Sequence, residues 1–286
     1  MPIFFKSIKL IFEKSFLIKP KILSTLFFIP LLYLLGWILT KPFLLIGVDK
    51  ENLSLIGTFF TFIIFVASMP GWFELRWNLQ NTWILLGVNK IDNRKKMIFY
   101  FLKGFLYSII LLLLILIPLI RYKWASWVGT ISPEILLNAI LLVIVVGFAE
   151  ELIFRGWLLE ELKNQFGLKK AVIFQAFLFS LVHLGFNLPF VQMISILFGL
   201  FLLGILLSLI RLKDDNCLWG CIGLHGGLVG LWFVINNGLI NIYNIAPIWI
   251  VGPGHVNTNP LGGMYGINLL FVLLIYIFLN IRKRYF

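Results

Sequence analysis

The chain has 286 residues, of which 60% are hydrophobic and only 13% are charged, and its mean hydropathy is +1.00. A soluble domain of this length cannot bury so much apolar surface, so the composition predicts an all-α, polytopic helical membrane protein. The net charge of +12 lies mainly between the apolar segments. It therefore indicates membrane topology and contact with anionic lipid, and it does not indicate nucleic-acid binding.

The N-terminal segment is apolar but is interrupted by Lys6, Lys9, Lys14 and Lys19. It therefore has no continuous apolar core of the kind found in a signal peptide. The pattern predicts a basic amphipathic helix that lies on the membrane surface.

Eight apolar segments approach the roughly 20 residues that a membrane-spanning helix requires. They are residues 22–39, 55–72, 99–120, 135–158, 171–186, 190–210, 218–235 and 264–281. The fifth is short, and residues 74–96 form a mixed segment that we interpret as interfacial or re-entrant. We expect residues 1–130 to hold the amphipathic helix and three spans, and residues 131–286 to hold the functional core and the last span.

Basic residues between the spans indicate the orientation of the chain. Four of the 24 Lys and Arg residues, Lys41, Lys50, Arg121 and Lys123, fall on one side of this arrangement, and the remaining 20 fall on the other. The positive-inside rule then places both termini in the cytoplasm and the loop 236–263 outside. The Lys-, Ile- and Phe-rich composition of the whole chain favours a multi-pass protein of a bacterial inner membrane.

Two adjacent carboxylates, Glu150 and Glu151, follow an apolar run in the fourth segment, and Arg155 follows four residues after the second. A charge inside a membrane span costs at least about 2.5 kcal/mol unless it is paired or hydrated. Glu151 and Arg155 are i,i+4 neighbours on a helix, so we expect them to pair. Glu150 is rotated by about 100° from Glu151 and is left free to act as a general base.

The spacing of the polar residues suggests that three segments meet at one depth. An antiparallel hairpin centred between Phe166 and Gly167 pairs Glu150 with His183, each roughly 20 Å from the turn at 1.5 Å per residue. His225 reaches roughly 15 Å into its own span by the same measure. The shared depth predicts a site of one carboxylate and two imidazoles. A structural ion-pair cluster that holds the helices together is the alternative.

These residues resemble the motifs of the CPBP intramembrane proteases, a family that includes the CAAX-processing Ras-converting enzyme and bacterial bacteriocin-immunity or abortive-infection relatives. The stretch EELIFR matches EExxxR, and Phe179 to His183 matches FxxxH. The third motif, HxxxN, is only half present, because Val229 stands where the family has asparagine after His225. The resemblance covers roughly residues 134–237.

The resemblance implies an intramembrane endopeptidase that cleaves a membrane-associated peptide or protein. Glu150 would activate water, His183 would hold or protonate it, and His225 would stabilise the oxyanion. Glu151 and Arg155 would organise the first acid. The missing asparagine removes one expected oxyanion donor, a loss that typically costs about 10²–10³ in rate.

Several alternatives stay open at this stage. A catalytic zinc could be held by Glu150, His183 and His225, so the enzyme is of either the glutamate type or the metallo type. A catalytically weak or inactive relative could instead bind a membrane partner or act as an immunity protein. A small-solute transporter is a third reading, although the chain lacks the inverted repeats common in transporters.

Overall fold

A computed structural model of the chain describes residue 14 and residues 16–90, 93–185, 187–254 and 259–286. Most of the expected N-terminal amphipathic helix lies outside these residues. By contacts between Cα atoms, the chain divides into two compact units, Met1–Ile84 and Leu85–Phe286. The sequence-based boundary between residues 130 and 131 was chosen from the positions of the motifs. In the structure, residues 85–130 belong to the second unit.

The first unit is a pair of long helices, α1 (Lys21–Leu45) and α2 (Lys50–Trp77). Aromatic side chains fill the space between them, with the ring centroids of Phe28 and Trp72 4.3 Å apart. The buried guanidinium of Arg76 donates hydrogen bonds to Ser24 Oγ (2.6 Å) and to the carbonyl of Lys21 (2.5 Å). A charged side chain near the end of α2 therefore fixes the start of α1.

The second unit contains six longer helices. They are α4 (Arg94–Arg121), α5 (Pro133–Phe166), α6 (Leu168–Leu181), α7 (Phe190–Lys213), α8 (Trp219–Leu239) and α10 (Met264–Tyr285). The shorter elements are α3 (Thr82–Leu85) at the boundary of the two units, α9 (Ile248–Val251), a 3₁₀ turn (Pro260–Gly262) and two strands, β1 (Ala125–Trp127) and β2 (Ile240–Ile242). The strands pair antiparallel, with Ser126 opposite Asn241.

The prediction of an all-α, polytopic membrane protein is confirmed, with a correction to the number of spans. Seven helices in the described part of the chain are long and apolar enough to cross a membrane, whereas eight were expected. The difference is the expected segment 171–186, where α6 has only 14 residues and ends at Leu181. At 1.5 Å per residue α6 rises about 21 Å, and an irregular stretch then leads to Pro189, which precedes α7.

Helix α8 lies at the centre of the second unit, and glycines on two of its faces permit this. A Cβ atom on Gly223 would lie 2.1 Å from the carbonyl oxygen of Phe101 in α4, and one on Gly226 would lie 2.2 Å from that of Val143 in α5. Small residues allow helix backbones to approach closely in membranes, where packing and not the hydrophobic effect drives association. His225, between these glycines, is therefore held firmly against its neighbours.

Helix α5 is irregular around the acid pair. Two π-helical turns, Leu142–Val146 and Leu152–Leu158, flank a short α-helical stretch, Gly147–Glu151. Both glutamates lie on this stretch. Such π-helical turns change the direction of the side chains that follow, and they occur frequently at functional sites.

Candidate active site

The two adjacent acids of α5 lie in different environments. Glu151 is completely buried, and its Oε1 atom accepts a hydrogen bond from Arg155 Nη1 at 2.7 Å. Arg155 is also completely buried. The side chain of Glu150 is 30% exposed and faces the two histidines. The predicted i,i+4 pair and the separate direction of Glu150 are both present.

Glu151 also contacts His225, which the sequence did not predict. His225 Nδ1 lies 2.7 Å from Glu151 Oε1, the same oxygen that Arg155 contacts. A carboxylate with a buried arginine beside it accepts hydrogen bonds and does not donate them, so Nδ1 of His225 carries the proton. Glu151 therefore orients the imidazole of α8 from α5.

Glu150 lies between the two histidines. Its Oε2 atom is 3.8 Å from Nε2 of His183 and 3.8 Å from Nε2 of His225. The structure therefore brings together the three side chains that the hairpin argument placed at similar depth. His183 itself lies in a turn just beyond the end of α6, not inside a helix.

The tautomer of His183 follows from its partner. Its Nδ1 atom lies 2.8 Å from the carbonyl oxygen of Phe179, which can only accept, so Nδ1 carries the proton. In the tautomer with the proton on Nδ1, Nε2 of each imidazole is an acceptor that faces another acceptor, Glu150 Oε2. This oxygen is buried and has no hydrogen-bond partner among the described residues. Three acceptors that converge in this way require a shared proton, a water molecule or a cation between them.

Phe179 is the common support of the site. Its ring lies under the guanidinium of Arg155, 4.0 Å from ring centroid to Cζ, in a cation–π arrangement. The same ring meets His183 edge-on at 4.9 Å and His225 edge-on at 5.6 Å between centroids. Its carbonyl also fixes Nδ1 of His183. The four-residue spacing of Phe179 and His183 therefore has a direct structural cause.

A cavity of about 420 Å³ opens beside the two histidines. Val229, one turn after His225, lines it. Most of the other lining side chains are aliphatic, from α4, α7 and α10. They include Leu111, Leu112, Ile115, Ile196, Leu200, Leu203, Leu269 and Leu270. The polar side chains that the described part of the chain contributes to the lining, besides the histidines, are Trp232 and Asn259.

Arg211 is a residue of the site's framework that the sequence reasoning missed. It is completely buried, its Nη2 atom lies 3.0 Å from Glu160 Oε1, and its Nη1 atom donates to the carbonyl of Arg155. It thereby supports the backbone of the second π-helical turn. Because Arg211 follows an apolar run, the sequence predicted a loop residue at the end of a span, of the kind that indicates membrane orientation. The acidic residue Glu160, nine residues after Glu151 on the same helix, was the available signal for a buried partner.

Glu150, His183 and His225 are donors of the type that zinc enzymes use. As placed, however, no group of three or more His, Cys, Asp or Glu side chains among the described residues is arranged to hold a metal ion. Cys221, one turn before His225, is buried and directs its Sγ atom to the carbonyl of Leu207 at 3.1 Å. The geometry therefore does not fit a preformed zinc site, and zinc binding stays an untested prediction.

Comparison with known families identifies the part of the chain that carries this site. Residues 132–231 match the family of type II CAAX prenyl endopeptidases, Rce1-like. This range contains Glu150, Glu151, Arg155, His183 and His225, so the resemblance to the CPBP proteases is confirmed. Residues 7–81 match a domain of unknown function, DUF8676. Neither a curated protein nor a solved structure matches the chain.

Proposed function

We propose that the protein is an intramembrane endopeptidase that hydrolyses a peptide bond of a membrane-associated substrate. One observation carries the proposal: Glu150 Oε2 lies 3.8 Å from Nε2 of both His183 and His225, and these two histidines line an apolar cavity. The match of residues 132–231 to Rce1-like endopeptidases supports it. An ion-pair cluster with only a structural role has no need of a buried carboxylate oxygen, Glu150 Oε2, that has no hydrogen-bond partner among the described residues.

The gap between these three atoms suits a water molecule. At 3.8 Å the atoms are too far apart for direct hydrogen bonds, but one water in the gap can donate to Glu150 and to one imidazole. Glu150 takes a proton as the water oxygen attacks the scissile carbonyl carbon. The C–N bond then breaks, and protonated Glu150 returns the proton to the departing amine. Water supplies OH to the new carboxyl group and H to the new amine.

Glu151 and Arg155 act through His225 in this scheme. Arg155 donates a hydrogen bond to Glu151, and Glu151 holds the Nδ1–H of His225 so that Nε2 faces Glu150. A carboxylate that accepts a hydrogen bond from one ring nitrogen commonly orients a functional imidazole in this way. His183, held by the Phe179 carbonyl, positions the water from the turn that follows α6.

The catalysis that these residues support best is of the glutamate type. The two imidazoles and Glu150 do not form a metal-ligand cluster in the described part of the chain. A metallo-type mechanism would require them to move together around an ion. We expect turnover to continue in the presence of a zinc chelator, and a loss that added zinc restores would establish the metallo type.

The lining of the cavity suggests the substrate class. Aliphatic side chains surround the histidines, so the segment beside the scissile bond is apolar. A peptide that is embedded in or anchored to the bilayer meets this requirement. We place the enzyme in a bacterial inner membrane with both termini in the cytoplasm, following the distribution of Lys and Arg.

The test is turnover of quenched fluorescent peptides by the full chain in liposomes. Two peptides are used: one ends in a prenylated cysteine followed by three residues, and one is an apolar peptide without the lipid. Glu150→Gln should abolish cleavage and leave the melting temperature unchanged. Glu134→Gln, an exposed change on the same helix, is the matched control. Full turnover by Glu150→Gln would disprove the mechanism.

A catalytically weak or inactive relative that binds a membrane partner is the second candidate. Val229 favours it, because this valine lines the cavity beside His225 and its side chain has no hydrogen-bond donor. This candidate predicts that the wild-type chain binds the peptides but cleaves neither, and that Glu150→Gln does not change binding.

A further inference from the structure

The cavity beside the histidines needs a hydrogen-bond donor for the reaction proposed above. Attack on a peptide carbonyl places negative charge on its oxygen, and enzymes stabilise that charge with fixed N–H or O–H groups. His183 and His225 present Nε2 toward Glu150 and the water. Val229 offers none. Among the described residues, the remaining polar side chains that line the cavity are Trp232 and Asn259.

Asn259 has the chemistry that the role requires, and it lines the cavity together with the two histidines. Its Oδ1 atom accepts a hydrogen bond from the backbone N–H of Leu261 at 3.0 Å, at the start of the 3₁₀ turn. This contact identifies the carbonyl end of the amide and leaves the two N–H groups of Nδ2 available. They make no hydrogen bond to another described residue.

The segment that carries Asn259 is held against the wall of the cavity. The carbonyl oxygen of Leu261 lies so close to Gly199 of α7 that a Cβ atom there would be 1.9 Å away. The N–H of Gly262 also donates to the carbonyl of Asn259 at 2.9 Å. A donor on a fixed backbone contributes more to catalysis than a mobile one, because it needs no reorganisation during the reaction.

We infer that Asn259 is a catalytic residue whose Nδ2 donates a hydrogen bond to the carbonyl oxygen of the scissile peptide bond as that oxygen becomes negative. Asn259 thereby supplies, from the loop before α10, a donor that α8 lacks at Val229. The inference rests on the proposed function, and it also sets the direction of the substrate. The scissile carbonyl points toward Asn259, and the water between Glu150 and the histidines attacks from the other side.

Two substitutions separate donation from capping of the 3₁₀ turn. Asn259→Asp keeps an oxygen for the Leu261 N–H but has no amide donor, whereas Asn259→Ala loses both. We expect kcat to fall about 100- to 1,000-fold in both variants, with KM changed much less. The melting temperature should fall only in Asn259→Ala. Asn280→Ala, an exposed change on α10, is the control.

Rescue provides a sharper test. Adding Val229→Asn to Asn259→Ala places an amide one turn after His225. The kcat of this double variant should be at least tenfold higher than that of Asn259→Ala alone. Full turnover in Asn259→Asp would overturn the inference, and so would a loss of turnover in Trp232→Phe that exceeds the loss in Asn259→Ala. Both results leave the proposed function intact if Glu150→Gln is inactive. A wild-type chain that cleaves neither peptide rejects the proposed function, and the role of Asn259 with it.

Discussion

Glu151 Oε1 lies 2.7 Å from His225 Nδ1 and 2.7 Å from Arg155 Nη1, so one buried carboxylate oxygen connects α5 to α8. The helices that carry the acid pair and the second histidine therefore cannot shift independently. The ion pair has no solvent exposure, so neither charge can be left without the other at low cost.

Arg155→Ala should destabilise the protein by about 3–5 kcal/mol, because it leaves an uncompensated charge on buried Glu151. The expected result is a lower melting temperature of the detergent-solubilised protein. The exposed residue Arg121 at the end of α4 provides the control, since Arg121→Ala should change stability by less than about 0.5 kcal/mol. Equal melting of the two variants would mean that Arg155 is hydrated and separate from the site.

Asp215 should give the protein a pH-dependent component of stability. Hydrogen bonds from Lys96 (3.0 Å), and also from Tyr100 and Arg284, lower the pKa of Asp215 below its usual value. A lowered folded-state pKa stabilises the protein above the unfolded-state pKa of about 3.9. This stability is lost as the pH falls through the folded-state value.

Asp215→Asn should therefore lower the melting temperature at pH 7 and have progressively less effect as the pH falls below about 4. The carboxylate is 38% exposed, so the loss at pH 7 should not exceed about 1 kcal/mol. Neighbouring Asp214 differs, because burial raises its pKa even though Lys103 opposes the shift. A difference between wild type and Asp215→Asn that is constant with pH would contradict the assignment.

The sequence predicted the parts of the site that depend on helix periodicity. Glu151 and Arg155 face each other because they are four residues apart, and Glu150 meets His183 because a hairpin pairs positions equidistant from its turn. The contact between His225 and Glu151 could not be predicted. It depends on the rotation of α8, which its glycine contacts with α4 and α5 determine.

The remaining errors have a related cause. Hydropathy continues beyond the end of α6 through Val182 and Leu184, so it could not show that the helix stops at Leu181. Arg211 follows an apolar run in the same way as a loop charge, but it is completely buried against the backbone of α5. Composition along one segment does not reveal which neighbouring helix accepts its polar groups.

The orientation of the chain in the membrane can be tested by cysteine labelling. Thr258, in the loop 236–263, lies outside the described residues, whereas Ile245 in the same loop is 74% exposed. Ile245→Cys should react with a membrane-impermeant thiol reagent in intact cells, because the positive-inside rule places this loop outside. The native cysteines, Cys217 and Cys221, are buried and should contribute little. Lys169→Cys, in the first turn of α6, should react only after permeabilisation, and the reverse pattern would invert the topology.

Val229→Asn tests whether the missing asparagine of α8 limits the enzyme. Val229 lines the cavity one turn after His225, so an amide there would reach the same space as the Asn259 side chain. If Asn259 already supplies the donor, the single change should alter kcat by less than about threefold, far below the 10²–10³ typical of one lost donor. A large rise in turnover on either peptide would instead show that the wild-type oxyanion site is incomplete. Inactivity of both wild type and Val229→Asn on both peptides, with and without added zinc, would favour the partner-binding function over proteolysis.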